Sequence, residues 1–471
     1  MNQSAMGRLR QFLAQLSPSA QAMLVREFER AAAGGGDDAQ LANLVLGELR
    51  QLLRKSNVNA RSRKNDAQRD VFRALEPFLV DRDNLSCPGE VRRSSLEAVW
   101  QWLAHEALVE ETKALEVVLA EAEQNGPTVQ AAQALSAYRV AAGEAVSAVI
   151  GALAGRDGDR RRNLTRLSSP RVIEDLPAIA ALLRAHEALA NLADRLPPSI
   201  STFGASQVAN VAAALDLPML QNPVVLPFAL SLAMSRLDAP WQIIRLPIQM
   251  AGSDDEVRVA ALPYGVAVTM ALHDLSRRTA ALGTDIKRGR FKLVGENLKT
   301  IHDGVRGLRT ELDLRSDSSW GRQLAAIRKD ISGGLRAEIE SVPGRVRRLL
   351  RQRPESEITA TSSIDAMEVD ETAALIGFLA ECRAFAGELA ISEVSQRAFS
   401  ELQQYVERAT AALLESVKVG QPRSRAYRQR QVEVAIRFCS MLFGNDYAVM
   451  MARAAEHAVA DAKRAAQAKS G

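Results

Sequence analysis

Between Phe291 and Leu312 the apolar residues Phe291, Val294, Leu298, Ile301, Val305, Leu308 and Leu312 recur at alternating spacings of three and four. That is a heptad seam, and it commits the segment to a helix that must be covered along its length. Ser316 to Ser319 supply a turn with capping residues. Trp320 to Val342 then carry a second stripe, Leu324, Ile327, Ile331, Leu335 and Ile339. So short a connection predicts an antiparallel, coiled-coil-like hairpin.

The rest of the chain is helical in pattern too. Ala, Leu, Arg, Glu and Gln, all good helix formers, dominate, and aromatics are only 4% of the 471 residues. The expected class is all-α: multi-helix bundles, the hairpin, and a long C-terminal helix.

Punctuation divides the chain. Residues 1–56 read as three short helices, with Ser17-Pro18 opening the second and Gly34-Gly35-Gly36 stopping it. The basic stretch from Arg54 to Asp66 has no apolar period and reads as a linker. Residues 66–283 read as the main bundle, with helices over 66–80, 94–124, 128–153 and 176–196. Residues 284–353 form the basic hairpin, whose last part, opened by Pro343-Gly344, reads as a separate short helix. Residues 354–371 read as an acidic linker. Residues 372–471 form a C-terminal domain that starts with one helix running to Val417, weakest at Gly387.

The most apolar stretch, Asn222 to Gly252, is too short to cross a bilayer, which takes about 20 apolar residues. Arg236, Asp238 and Arg245 interrupt it, and Pro227, Pro240 and Pro247 divide it. It reads as two buried short helices. A helix from about Asp254 to Ala281, capped through Ser253 and Glu256 and bent at Pro263, follows. Trp241, Ile244, Leu262 and Tyr264 are expected to fill the middle.

No chemical signature is present. A phosphate-binding glycine loop, a dinucleotide fingerprint, a paired-histidine zinc helix and a nucleophile elbow are all missing. His105, His186, His273, His302 and His457 stand one per helix. Cys87, Cys382 and Cys439 have neither disulfide nor metal spacing. The expectation is a cytoplasmic protein without cofactor or metal, and not an enzyme.

Charge is the one functional hint. Arg outnumbers Lys 50 to 10 within a net charge of +4. Residues 284–353 carry a net +8, residues 354–407 a net −9, and residues 408–471 a net +6. Arg345, Arg347, Arg348, Arg351 and Arg353 concentrate the first block. Arg423, Arg425, Arg428 and Arg430 form a second cluster beside Tyr427. These nine are the candidate partner-binding residues. They can hold a protein partner, grip the phosphates of a nucleic acid or membrane surface, or pair with the adjacent acidic block. Single-strand readers stack bases on aromatics, and only Tyr427 is available. A helical scaffold or adaptor for protein partners is therefore the leading expectation, with anionic-surface binding as the alternative.

Overall fold

The computed structural model describes residues 67–82, 87–153, 169–359, 361–419 and 423–470, with isolated positions besides. The three amino-terminal helices expected over 1–56, and the linker after them, lie almost wholly outside the described residues. The fold is an all-α multi-helix bundle. Two compact units divide the chain. One takes residues 1–85, 90–191 and 218–225; the other takes 86–89, 192–217 and 226–471.

In the first unit the helix expected over 66–80 ends early. A 3-10 turn, Arg73–Phe78, carries Pro77, and the short strands Leu79–Val80 (β1) and Val91–Arg92 (β2) pair in parallel. The helix expected over 94–124 is also interrupted. It forms α1 (Arg93–Trp102), a wide π-type turn at Leu103–Ala107, and α2 (Val109–Asn125), with Leu108 outside helical geometry. Gly126 at φ +91 closes α2, a conformation that glycine adopts without strain. Helix α3 (Val129–Leu153) packs back on α2, and α4 (Pro170–Arg195) follows. Arg92 is buried and binds Asp175 (3.1 Å), Glu174 (3.0 Å) and the Arg171 carbonyl (3.0 Å), while Ser95 donates to Asp175. A buried charge needs such partners, and these four hydrogen bonds pin β2 and α1 to α4.

The second unit begins with α5 (Ala205–Leu215), α6 (Leu226–Ser235), a 3-10 turn at Pro240–Ile244 and α7 (Arg245–Ala251). The apolar stretch is therefore core, and no helix among the described residues is long and apolar enough to cross a membrane. Leu230 and Ile244 are fully buried, whereas Trp241 and Leu262 remain half-exposed. The helix expected over 254–281 is split. Asp255, not Ser253, caps a short α8 (Glu256–Ala260) by accepting from the Val257 N–H. Pro263, which has no N–H to donate and clashes with the preceding turn, starts a new 3-10 turn before α9 (Val266–Lys287).

Both seam helices form: α10 (Phe291–Glu311) and α11 (Ser319–Leu350), the latter capped by Ser318. The hairpin does not. Helix α10 packs on α9 and on α12 (Ala366–Ala384). Helix α11 packs on α9, α12 and α13 (Ser392–Val419), and α10 and α11 do not pair along their lengths. The connection explains this. The Asp313 N–H donates to the Asp254 carbonyl (2.9 Å), and the Arg315 N–H donates to Glu256 (2.8 Å). The turn is drawn onto the start of α8, so α11 leaves over α9. Pro343 does not end α11 either. It is buried inside the helix, and the lost hydrogen bond is offset by Val342, Val346, Leu349 and Leu350, all in the core.

The long C-terminal helix is two helices. Residues 385–391 leave helical geometry between α12 and α13, with Ala390 at φ +56 and Leu389 and Ile391 buried in the turn. The segment expected as a linker is shorter than 354–371, because Asp365 already caps α12 by accepting from the Met367 N–H. Helices α14 (Arg425–Phe443) and α15 (Asn445–Ser470) close the unit, packed on each other and on α13.

Candidate functional site

Arg345, Arg347 and Arg348 ride on the last turns of α11, and Arg351 and Arg353 follow its end. Arg423 precedes α14, and Arg425, Arg428 and Arg430 lie in its first two turns. The last four carbonyls of a helix have no partner inside it. Here Gln431, buried on α14, donates to the carbonyls of Leu349 (3.2 Å) and Arg351 (3.0 Å). One turn earlier on the same face, Tyr427 carries the Arg353 guanidinium over its ring at 5.4 Å. The end of α11 and the start of α14 thus make one corner. Two arginine clusters remote in sequence become neighbours there.

The nine arginines separate by partner. Arg347 pairs with Glu401 and lies 5.7 Å over Tyr405. Arg348 pairs with Glu368 (3.0 Å), Arg428 with Glu355 (2.8 Å), and Arg430 with Glu433 (2.7 Å). Arg345 borders a cleft of about 300 Å³ beside Asp365, Glu368 and Glu371. Arg351, Arg353, Arg423 and Arg425 have no carboxylate partner among the described residues. Arg425 instead donates to the Ala462 carbonyl of α15 (3.3 Å).

Glu355 is the acid at the centre of the corner. Its Oε1 accepts from Arg428 Nη2 (2.8 Å), the Ser424 hydroxyl (2.9 Å) and the Gln421 N–H (3.3 Å). Burial pushes the carboxyl up. The Ser424 hydroxyl, the Gln421 N–H and the Arg428 charge outweigh burial and hold it below the ordinary value. Its other oxygen, Oε2, is buried without a partner among the described residues, and so is Arg428 Nε.

Helix α14 also borders an apolar groove of about 580 Å³ against α13 and α15. Leu414, Val417, Val432, Ile436, Ala455 and Val459 line it, with Glu433, Glu456 and Lys463 at its rim.

The histidine that the sequence leaves solitary is not so in the first unit. His186 Nδ1 lies 2.7 Å from the Leu183 carbonyl, and its Nε2 lies 3.0 Å from Ser136 Oγ on α3. A carbonyl only accepts, so Nδ1 carries the proton and Nε2 faces the hydroxyl. Burial lowers the His186 pKa and keeps the ring neutral. The backbone N–H groups beside Ser136 are spent inside α3, so no donor pair faces an oxyanion there. No sequence spacing signals this contact, because α3 and α4 meet only in the fold.

Burial pushes the Cys382 and Cys439 thiols up, away from nucleophilic thiolate. Among the described residues no group of three or more His, Cys, Asp and Glu side chains could hold a metal ion. Comparison with known proteins returns nothing: no family model, no curated protein and no solved structure matches this chain.

Proposed function

We propose that the protein is a non-enzymatic helical scaffold that docks an acidic protein partner on the corner between α11 and α14. The convergence of Arg351, Arg353, Arg423 and Arg425, none of them neutralised by a carboxylate among the described residues, carries this reading. Guanidinium groups match carboxylates in planar, two-pronged geometry. A polypeptide is favoured over a nucleic acid by what the corner already holds, a glutamate from the chain's own acidic segment. The apolar groove on the same helix α14 gives such a partner side-chain contacts that a phosphate backbone would not use.

The test titrates the full-length protein with fluorescent poly-glutamate, duplex DNA and phosphatidylserine vesicles at several salt concentrations. Poly-glutamate should bind, weaken with salt, and be lost in the triple variant R351Q/R353Q/R423Q. Equal binding by wild type and variant overturns the reading. Binding to DNA or vesicles but not to poly-glutamate replaces it with anionic-surface recognition.

A further inference from the structure

Two arginine–glutamate pairs in the second unit can be compared atom by atom. Arg245 presents Nε and Nη2, which share one edge of the guanidinium, to both oxygens of Glu311, with Nε donating to Oε2 at 2.7 Å. Both prongs are made. Arg428 reaches Glu355 through Nη2 alone. Arg428 Nε and Glu355 Oε2, the atoms a second prong would use, are each buried and each unpartnered among the described residues.

Competition for the other oxygen accounts for the difference. Ser424 O–H, the Gln421 N–H and Arg428 Nη2 all converge on Oε1. A planar carboxylate cannot turn Oε2 toward Arg428 Nε while Oε1 serves three donors from different directions. Leaving a buried donor and a buried acceptor unmade is costly. The donor set is therefore mismatched in geometry to its resident acid.

We propose that Gln421 N–H, Ser424 and Arg428 form a phosphate-monoester site in which Glu355 is a resident surrogate, and that a phosphorylated residue of the partner displaces it. A phosphate offers three terminal oxygens in a tetrahedral array and close to two negative charges at neutral pH. One oxygen can take Ser424 and Gln421 while another completes the fork on Arg428. Arg425 lies one turn before Arg428 on the same helix, and its buried Nε is also without an acceptor among the described residues. Displacement frees Glu355 and removes the tie it makes from residues 355–359 to the start of α14. The source of the phosphate is assigned to a polypeptide because the surrogate is itself a side chain. This assignment rests on the docking reading above and names the chemistry of its central contact.

The experiment uses the full-length chain. Inorganic phosphate and a phosphoserine peptide are titrated calorimetrically into wild type, E355Q and S424A, with hydrogen exchange followed over residues 355–365. Removing the competing carboxylate should tighten phosphate binding by about tenfold if Glu355 fills the site nine-tenths of the time. S424A should lose the binding while keeping its helical circular dichroism. In wild type, exchange over 355–365 should accelerate as phosphate binds. Unchanged affinity in E355Q, or exchange that does not respond to phosphate, overturns the proposal. Vesicles bearing phosphatidic acid form a further arm, and binding to them without binding the phosphopeptide also overturns it. Absence of phosphate binding with poly-glutamate binding intact sinks this inference alone; absence of both sinks the docking reading as well.

Discussion

Gly307 on α10 lies directly beneath the indole of Trp241, so close that a methyl group on its Cα would overlap the ring. The same indole supports Arg245, whose guanidinium sits 5.5 Å above it and forks onto Glu311. One missing side chain on α10 thus sets the position of an aromatic ring, a cation and an ion pair.

Gly307→Ala should therefore destabilise the protein by about 1–3 kcal/mol, because overpacking outweighs the helix propensity that alanine adds. Gly333→Ala on α11 is the control. Nothing lies within 4 Å of a Cβ there, so the substitution should stabilise by up to about 1 kcal/mol. Urea denaturation of both variants measures the pair, and equal shifts would contradict the overlap.

Leu230 is fully buried on α6. Leu230→Ala should cost about 2–5 kcal/mol through lost transfer energy and a residual cavity. Leu230→Asp should leave little folded protein at 37 °C, since an unpaired buried charge costs more still. Thermal unfolding followed by circular dichroism checks both.

Tyr138 donates to or accepts from Thr112 at 2.8 Å, and burial pushes its phenol up to about 12 despite that hydroxyl. The neutral form is favoured in the fold. Its contribution to stability is complete below the unfolded value near 10 and is lost as pH rises through about 12. Absorbance titration at 295 nm should show one tyrosine ionising only with unfolding. Tyr138→Phe should remove that delayed step.

Glu355 gives the opposite sign. Its carboxyl is held below the ordinary value in the fold, so its stabilisation is present above the unfolded carboxylate value and declines as pH falls through the folded one. E355Q should therefore flatten the acid limb of the stability profile below about pH 4.3, leaving the alkaline limb unchanged. Parallel acid limbs in wild type and variant would mean that Glu355 titrates as it does in the unfolded chain.

Most of what the sequence disclosed was burial, and most of what it concealed was partnership. The stripes on α10 and α11 are in the core, with Val294, Leu298, Ile301, Leu335 and Ile339 among its least exposed residues. Periodicity reports which face of a helix is covered and is silent about what covers it. Turn length points to a hairpin, and backbone bonds from Asp313 and Arg315 to the α8 start redirect the chain. Prolines do not map the breaks, and the reversal at 385–391 falls at Gly387, the weakest point of the long helix in sequence. Pro343 stays inside α11 because its neighbours are deeply packed, whereas Leu108 and Ala390 interrupt helices where no proline marks the place. The arginines were visible as two clusters. Their meeting depends on Gln431 reaching the end of α11, a contact between residues far apart in the chain.

The reversal at residues 385–391 has an electrical consequence. A straight helix would have carried the acidic block away from the basic one and left a molecule with two charged ends. Folding back lays acidic α12 and α13 against basic α11, so the +8 and −9 blocks compensate each other within a few ångströms. At physiological ionic strength a field decays over about 8 Å. What an approaching partner senses is then chiefly the net +6 of residues 408–471, which includes the α14 side of the corner. Arrival of an acidic partner at the corner should slow as salt screens that charge, and residence there should shorten as salt rises.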